Sequence, residues 1–492
     1  MRNVRHSLTW LLLIASCAIG AIARADVRVA GVFADHMVLQ RRVPLPLWGW
    51  AEAGEHIEVK LASSAASATT DQDGKWHVEL PPLEAISDGV DLTIQGKTTV
   101  AIHDVLVGEV WLASGQSNMQ YAVKNALNAA AALRDANRPM LRLCTVGSKA
   151  SLTPLDDRGV RWSPSTSDSA KGFSAVAYFF ASELQQKLSV PVGIIGAYVA
   201  GTPAQSWTDL AELQSSPQLA HYVDALNRSQ KAATTNPSKE SAGVPTSLYN
   251  GMIAPLKSFP IKGVIWYQGE SNTGEAMEYR TLFPAMVRGW RKQWGDDQLP
   301  FLFVQLPGFG RRQTELAPSN WAMLREAQAM TLQLPRTGMA VTVDLVPARA
   351  LLHPKNKADI GHRLALLARS IAYGEAVDAW SPMFASMQIE SGAARIRFTH
   401  ADGELVVRAA PEERAEPSTT APSEVTGFAI AGADHKFVRA TARIDADTVI
   451  VSSDEVNSPV AVRYAWEENP QVDLYNAAGL PVAPFRTDDW PQ

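Results

Sequence analysis

Five apolar runs alternate with helical stretches between residues 105 and 375, and this alternation limits the folds open to the chain. The runs are VLVGEVWLAS, VPVGIIGAYV, IKGVIWYQG, PFLFVQLP and GMAVTVDL. Strands buried on both faces of a parallel sheet are apolar throughout rather than alternating. Between two of the runs, apolar residues recur every four positions from Val176 to Leu188, which predicts a helix. The sequence therefore predicts a doubly wound α/β domain, with a parallel sheet, over 105–375.

The segments on either side of this domain have the character of β structure. Residues 26–104 contain the short β-prone runs LPLWGWA, HIEVKLA, KWHVELP and VDLTIQG, separated by turn signals such as QDGK. Residues 376–492 contain MQIESGAARIRFTH, ELVVRAA, GFAIAG and DTVIVSS. We predict β-sandwich-like modules at both ends, an organisation consistent with a chain of 492 residues.

The first 25 residues resemble an export signal. Arg2 and Arg5 precede the apolar run LTWLLLIASCAIGAI, and Ala23-Arg24-Ala25 fits a cleavage site. The apolar run is shorter than the ~20 residues that a membrane-spanning helix needs. The chain is therefore predicted to be exported to the periplasm or secreted, with cleavage before Cys17 and a lipid anchor there as the alternative.

Composition argues against several classes of protein. The net charge is −5 and no run is rich in Lys or Arg, which disfavours nucleic-acid binding. No HExxH, CxxC or paired Cys/His cluster indicates a metal, and no GxGxxG or Walker loop indicates a nucleotide. We predict no cofactor. Removal of the signal leaves Cys144 as the one cysteine, in the apolar string MLRLCTV, so we predict a buried thiol and no internal disulfide.

Polar or glycine-bearing turns follow four of the five predicted strands. Ser117 follows the first run, Gly201 the second and Gln268-Gly269-Glu270-Ser271-Asn272 the third, while His353 lies after the fifth. Open parallel sheets bind ligands outside the carboxyl ends of their strands. We therefore expect these four turns to meet at one rim of the sheet.

The residue types at this rim suit nucleophilic attack on an ester. A serine hydroxyl needs a base, usually histidine, to remove its proton. The oxyanion that forms needs hydrogen-bond donors, which the backbone N–H groups of Ser117 and Gly201 and a side-chain amide, Gln268 or Asn272, could supply. Taken singly, Ser117 is more typical of a helix cap, and His353 of a loop residue capping the next helix.

Several longer motifs carry a resemblance to a known family. They are GEVWLASGQSNMQ, AGTPAQSW, LYNGMIAPL, GVIWYQGESNT, HPKNKADIGHRLA and VRYAWEENPQVDLYNAAGLPVAPFRTDDW. Together they resemble the sialate O-acetylesterase family of SGNH-type esterases over about residues 28–490. The resemblance implies a metal-free Ser-His esterase acting on acetylated sugars. It makes Ser117 the nucleophile, His353 the base, Gly201 an oxyanion-hole glycine and Gln268 the side-chain donor.

The chain departs from this family at one position. Such enzymes usually carry an aspartate two or three residues before the histidine, where this chain has Leu351 and Ala350. The imidazole still needs a partner that fixes its tautomer. We predict Asp344, at the end of the fifth run, as that acid, with Glu270 or a backbone carbonyl as alternatives.

The sequence thus predicts an exported carbohydrate O-acetylesterase whose partner is an acetylated glycan. Its substrate is sialic acid or a plant polysaccharide such as xyloglucan or xylan. Arg349 is the one arginine adjoining the motif turns that a sialate carboxylate could use, and Trp207 and Tyr121 could stack on sugars or pack in the wall. A catalytically inactive glycan-binding protein on the same fold is the alternative.

Overall fold

The protein is described by a computed structural model over residues 26–234, 241–313, 315–401, 403–411 and 425–490. The predicted export signal and the alternative anchor at Cys17 lie outside these residues. Within the described ranges, every helix is too short or too polar to cross a membrane.

The N-terminal segment is built from short strands. They are β1 Arg28–Val29, β2 Val38–Gln40, β3 Leu45–Trp50, β4 His56–Leu61, β5 Ser64–Thr69, β6 Lys75–Leu80 and β7 Ile86–Gln95. The strands β3, β4 and β6 alternate buried and exposed side chains, as strands with one face on a core do.

The central segment alternates strands and helices. Its strands are β8 Thr99–Gly115, β9 Arg138–Val146, β10 Val160–Ser165, β11 Val192–Tyr198, β12 Gly263–Tyr267, β13 Phe301–Val304, β14 Gly310–Arg311, β15 Thr337–Ala340 and β16 Arg349–Ala350. Its α-helices are α1 Ser117–Gln120, α2 Ala129–Arg134, α3 Ser167–Lys171, α4 Ala175–Leu188, α5 Leu210–Gln214, α6 Ala220–Ala233, α7 Ala276–Trp294, α8 Asn320–Met330 and α9 Ala358–Tyr373.

The strand β8, which comes first along the chain among the strands of the main sheet, lies at the centre of that sheet. The order is β10-β9-β11-β8-β12-β13-β15, with every neighbouring pair parallel except β10 and β9. The next three strands, β9 to β11, therefore lie on one side of β8, and the later strands β12, β13 and β15 lie on the other side. In such sheets the crevice at the reversal of strand order is where ligands bind, and β8 ends there.

The long strand β8 joins the N-terminal strands to the main sheet. Its first half pairs with β2 and β7, and its second half pairs with β11 and β12. The predicted boundary at residue 104 therefore falls within a continuous strand. The result is a mixed α/β molecule with one large mixed sheet and several smaller sheets.

The C-terminal segment contains further small sheets. Its strands are β17 Met383–Glu390, β18 Ala393–Thr399, β19 Val406–Val407, β20 Phe428–Ala431, β21 Phe437–Arg439, β22 Thr441–Asp445, β23 Thr448–Ser452, β24 Ala461–Tyr464, β25 Leu474–Tyr475 and β26 Phe485–Arg486. Two four-stranded antiparallel sheets have the orders β17-β18-β23-β22 and β21-β20-β24-β26.

Most local predictions in the central segment are confirmed. All five apolar runs contain strands, and Cys144 is a buried free thiol. The run MQYAVKNALNAAAALRDA after Ser117 is typical of a helix, but it is broken into α1, a 3₁₀ turn and α2, with Asn128 at a φ of +62°. Two strands of the main sheet, β9 and β10, were not predicted. In β9, Arg142 interrupts the apolar pattern. That arginine is buried and hydrogen-bonds Asp104 through both terminal nitrogens.

Candidate active site

The corner between β8 and α1 requires a glycine. Gly115 has a φ of +138°, and a Cβ there would lie 2.1 Å from the carbonyl oxygen of Tyr267 on β12. Only a residue without a side chain allows β8 and β12 to close at this point. The chain then turns through Gln116 and presents Ser117 at the start of α1, outside the carboxyl end of β8.

The structure brings Ser117 and His353 together. The Oγ atom of Ser117 and the Nε2 atom of His353 are 2.9 Å apart, although the two residues are 236 positions apart in sequence. The N-cap of α1 is Gln116, and no side chain caps the helix. Ser117 is therefore not a helix cap, and its hydroxyl has the contact that a base-activated nucleophile needs.

The surroundings of His353 favour the neutral form of its imidazole. Its burial, and then the positive charge of Lys357, lower the pKa of His353 below its usual value. A neutral Nε2 can accept a proton from a hydroxyl at 2.9 Å. Among the described residues, this bond to Ser117 is the hydrogen bond that His353 makes.

Asp344, the predicted acid, is paired elsewhere. Its Oδ1 and Oδ2 atoms each accept a hydrogen bond of 2.6 Å from the guanidinium of Arg363 on α9, and the hydroxyl of Tyr475 lies 3.4 Å from Oδ2. The carboxylate is fully buried and the arginine nearly so. Arg363 is both cationic and bidentate, so it outcompetes a neutral imidazole for this carboxylate. The structure thus does not bring Asp344 to His353.

Glu270, the second candidate acid, contacts Asn118 rather than the histidine. The Nδ2 atom of Asn118 donates to Oε1 of Glu270 at 2.5 Å and to the carbonyl of Leu352 at 2.9 Å. Burial raises the pKa of Glu270, although the hydrogen bond from Asn118 and the charge of Lys357 oppose that rise. One asparagine therefore ties the serine turn to the third turn and to the residue before His353.

A buried lysine completes this group of contacts. The Nζ atom of Lys357 donates to Oδ1 of Asn118 at 2.5 Å and lies 5.1 Å and 5.0 Å from the ring centroids of Tyr121 and Tyr267. Lys357 is fully buried, and this burial lowers its pKa to about 7, with Glu270 opposing the shift. The group Asn118, Glu270 and Lys357, here called the turn-linking triad, joins three of the four predicted turns.

The two remaining predicted oxyanion residues differ in their settings. Gly201 is exposed, has a φ of +70° and has no atom within 4 Å of the place a Cβ would take. Gln268 is fully buried: its Nε2 donates to Asn272 at 2.7 Å, and its Oε1 accepts from Tyr279 at 2.9 Å. Both ends of the Gln268 amide are therefore used inside the protein. Its alternative, Asn272, is also buried and donates to Gln205 at 3.0 Å.

The residues considered for sugar contact differ in how exposed they are. Trp207 is fully buried and donates to Thr202, so it packs in the wall. Tyr121 is partly exposed, and its ring centroid lies 6.1 Å from that of His353. Arg349 is exposed on β16, where it faces Arg311 of β14 in an antiparallel pair.

Sequence reasoning missed Asn118 and Lys357. Their signal was their position, since Asn118 directly follows the serine and Lys357 lies four residues after the histidine in HPKNK. A lysine that is wholly buried cannot be recognised from sequence, because the enclosing rings of Tyr121 and Tyr267 come from distant turns. Within the described part of the chain, no group of three or more His, Cys, Asp or Glu side chains could hold a metal ion.

Comparisons with known proteins show the family of this chain. Residues 107–369 match the family model described as "Carbohydrate esterase, sialic acid-specific acetylesterase". That range spans more than half of the chain and contains both Ser117 and His353.

Individual relatives extend the match to most of the chain. Sialate O-acetylesterase from Rattus norvegicus is 27% identical and is covered over 97% of each chain, and the Homo sapiens protein of that name is 30% identical over 71% of each. The crystal structure of a carbohydrate acetylesterase from Xanthomonas citri is 41% identical, with a TM-score of 0.83 and coverage of 94% of this chain and 100% of that one. The chain therefore belongs to the carbohydrate esterase family of sialic acid-specific acetylesterases, which are carboxylic ester hydrolases.

Proposed function

We propose that this carbohydrate O-acetylesterase works through an acetyl-serine intermediate, with Ser117 as nucleophile and His353 as general base. The observation that carries the proposal is the 2.9 Å contact between Ser117 Oγ and His353 Nε2 at the carboxyl end of β8. The lowered pKa of His353 supports it, since the base must be unprotonated when substrate binds.

The reaction would proceed in two steps. As Ser117 Oγ attacks the acetyl carbonyl, His353 Nε2 takes the hydroxyl proton, and the bond between the acetyl carbon and the sugar oxygen then breaks. The sugar oxygen leaves with the proton from His353. Water next attacks the acetyl-serine and gives one proton to His353, which passes it to Ser117 Oγ as acetic acid leaves and loses its remaining proton to solvent.

The oxyanion of each step would be held by the backbone N–H groups of Ser117 and Gly201. Gly201 suits this part, because its open surroundings allow the substrate to approach the backbone closely. The Gln268 amide, predicted as a third donor, is engaged by Asn272 and Tyr279. We assign it to holding the third turn in place.

The catalytic unit is proposed to be a Ser-His dyad. Asp344 accepts hydrogen bonds from Arg363, and Glu270 accepts one from Asn118, so neither carboxylate orients the imidazole. The turn-linking triad would fix the backbone before His353 instead, through the bond from Asn118 to the Leu352 carbonyl.

Finer features of the architecture belong to the same proposal. The strand order around β8, with its reversal at the serine turn, supports an SGNH-like esterase domain over 105–375. The small sheets at either end support β-sandwich-like modules over 26–104 and 376–492. Residues 1–25 would direct export to the periplasm or the outside, or anchor the protein by lipid at Cys17.

The substrate is proposed to be an O-acetylated glycan, either a sialic acid or a plant polysaccharide such as xyloglucan or xylan. Release of acetate from acetylated sialate, xylan, xyloglucan and pectin, each at equal ester concentration, tests this directly. A clear preference identifies the substrate. Absence of acetate release from all four, with intact hydrolysis of an aryl acetate, would reject both candidates.

The alternative, a catalytically inactive glycan-binding protein, is favoured by one observation. No carboxylate among the described residues contacts His353, whereas the related esterases usually have one. Hydrolysis of 4-nitrophenyl acetate separates the two functions. An esterase loses this activity in Ser117→Ala and in His353→Ala and keeps it with a chelator, whereas an inactive protein shows no turnover before substitution.

A further inference from the structure

A cavity of about 340 Å³ lies between the C-terminal sheet β21-β20-β24-β26 and the segment 316–318 of the central domain. We call it the C-terminal aromatic cavity. It is lined by side chains that include His435, Phe437, Arg463, Trp466, Glu467 and Trp490. None of the residues of the Ser117 site belongs to its wall.

Aromatic rings form much of this wall. The rings of His435 and Trp490 stack at 3.7 Å with an interplanar angle of 11°, and Phe437 lies 5.5 Å from Trp490. Trp490 and Phe437 are partly exposed, whereas Trp466 is buried. The guanidinium of Arg463 lies 4.0 Å from the ring centroid of Phe437 and covers that ring, and His435 covers one face of Trp490. The other face of Trp490 remains as a flat apolar surface for a ligand, at little entropic cost on binding.

The charged residues of the wall are already neutralised. Arg463 donates to both oxygens of Asp488, at 2.8 and 2.7 Å, and Glu467 Oε1 accepts from Arg439 at 3.0 Å. The cavity therefore offers hydrogen-bonding groups without an excess of either charge. An uncharged, polyhydroxylated ligand with one apolar face fits this combination better than an anion or a cation does.

We propose that the C-terminal aromatic cavity is a second carbohydrate-binding site, which takes a neutral sugar unit of a glycan chain. The sugar's C–H face stacks on Trp490, and one of its hydroxyls bonds to Glu467. Its volume is at the lower end of the ~300–1,000 Å³ usual for small-molecule sites, enough for roughly one or two sugar units. This site goes beyond the proposed esterase function and does not depend on the Ser-His mechanism.

Calorimetric titration of the full chain with xylohexaose, cellohexaose and a xyloglucan heptasaccharide tests the proposal. Trp490→Ala should weaken binding of the preferred oligosaccharide by about five- to tenfold, the effect expected for loss of one stacking ring.

Trp380→Ala is the matched control, because Trp380 forms a similar stack with His400, at 5.2 Å and 16°, outside the cavity. It should leave binding unchanged. The Ser117→Ala variant should also keep the binding, and Trp490→Ala should keep hydrolysis of 4-nitrophenyl acetate, so the two sites are judged separately. The proposal is overturned if none of the three oligosaccharides binds, or if Trp490→Ala binds within twofold of the unsubstituted protein.

Discussion

Replacement of Asp344 by asparagine distinguishes a structural carboxylate from a catalytic one. Asp344 is buried, and Arg363 gives it two hydrogen bonds of 2.6 Å. The substitution removes the negative charge and leaves a buried guanidinium without its counter-ion. Breaking a buried pair in this way costs ~3–5 kcal/mol. Because asparagine keeps one acceptor oxygen, we expect the free energy of unfolding to fall by about 3 kcal/mol.

The catalytic activity of the Asp344→Asn variant should change little, in contrast to its stability. If Asp344 acts only on Arg363, kcat/KM for 4-nitrophenyl acetate, per folded molecule and at a temperature where the variant is folded, should stay within about threefold. Loss of the acid of a working Ser-His-Asp triad instead lowers kcat about 10⁴-fold. The two assignments therefore differ by more than three orders of magnitude in one assay, with urea unfolding measured on the same preparation.

Asp488→Asn is the matched control for this experiment. Asp488 also has a fully buried side chain held by an arginine through two bonds, at 2.7 and 2.8 Å, in the C-terminal segment. Both variants should lose stability and keep turnover. A stable Asp344→Asn protein that loses about 10⁴ in kcat would refute the dyad and restore the triad.

Three further perturbations test the site. Ser117→Ala and His353→Ala should each lower kcat by at least about 10⁴-fold while the unfolding free energy changes by less than about 1 kcal/mol, and retained turnover in either would exclude the proposed roles. Activity should rise with pH as His353 loses its proton. Burial, and then the charge of Lys357, lower the pKa of His353, so Lys357→Met should move the midpoint of the kcat/KM profile upward; an unmoved midpoint contradicts this coupling. Gly115→Ala places a Cβ 2.1 Å from the Tyr267 carbonyl and should cost more than about 3 kcal/mol in urea unfolding, whereas Gly201→Ala, with open space around it, should cost about 1 kcal/mol, and equal costs would argue against the clash.

The elements that carry the site were accessible from the sequence. The five apolar runs identify strands because a parallel strand buried on both faces has no polar side. The turn residues Ser117, Gly201 and His353 follow from the rule that loops at the carboxyl ends of parallel strands share one rim. The structure brings the first and last of these to 2.9 Å.

Long-range side-chain partners were not accessible in the same way. Asp344 was the nearest acid before His353 in sequence, yet its partner is Arg363, 19 residues away on the helix α9. A sequence shows that a carboxylate lies near the rim, but not which cation the packed helix will present to it. The same holds for Gln268, whose side-chain amide is hydrogen-bonded to Asn272 and Tyr279.

The sequence by itself indicated five strands of the main sheet and the turns that carry Ser117, Gly201 and His353, because these follow from local apolar patterns and from the geometry of parallel sheets. Only the tertiary structure decided which groups surround the imidazole. Side-chain burial and competition for charged partners arise when distant helices pack. That packing pairs Asp344 with Arg363 and buries Lys357 beside Asn118. Among the described residues, His353 then has Ser117 alone as its hydrogen-bond partner.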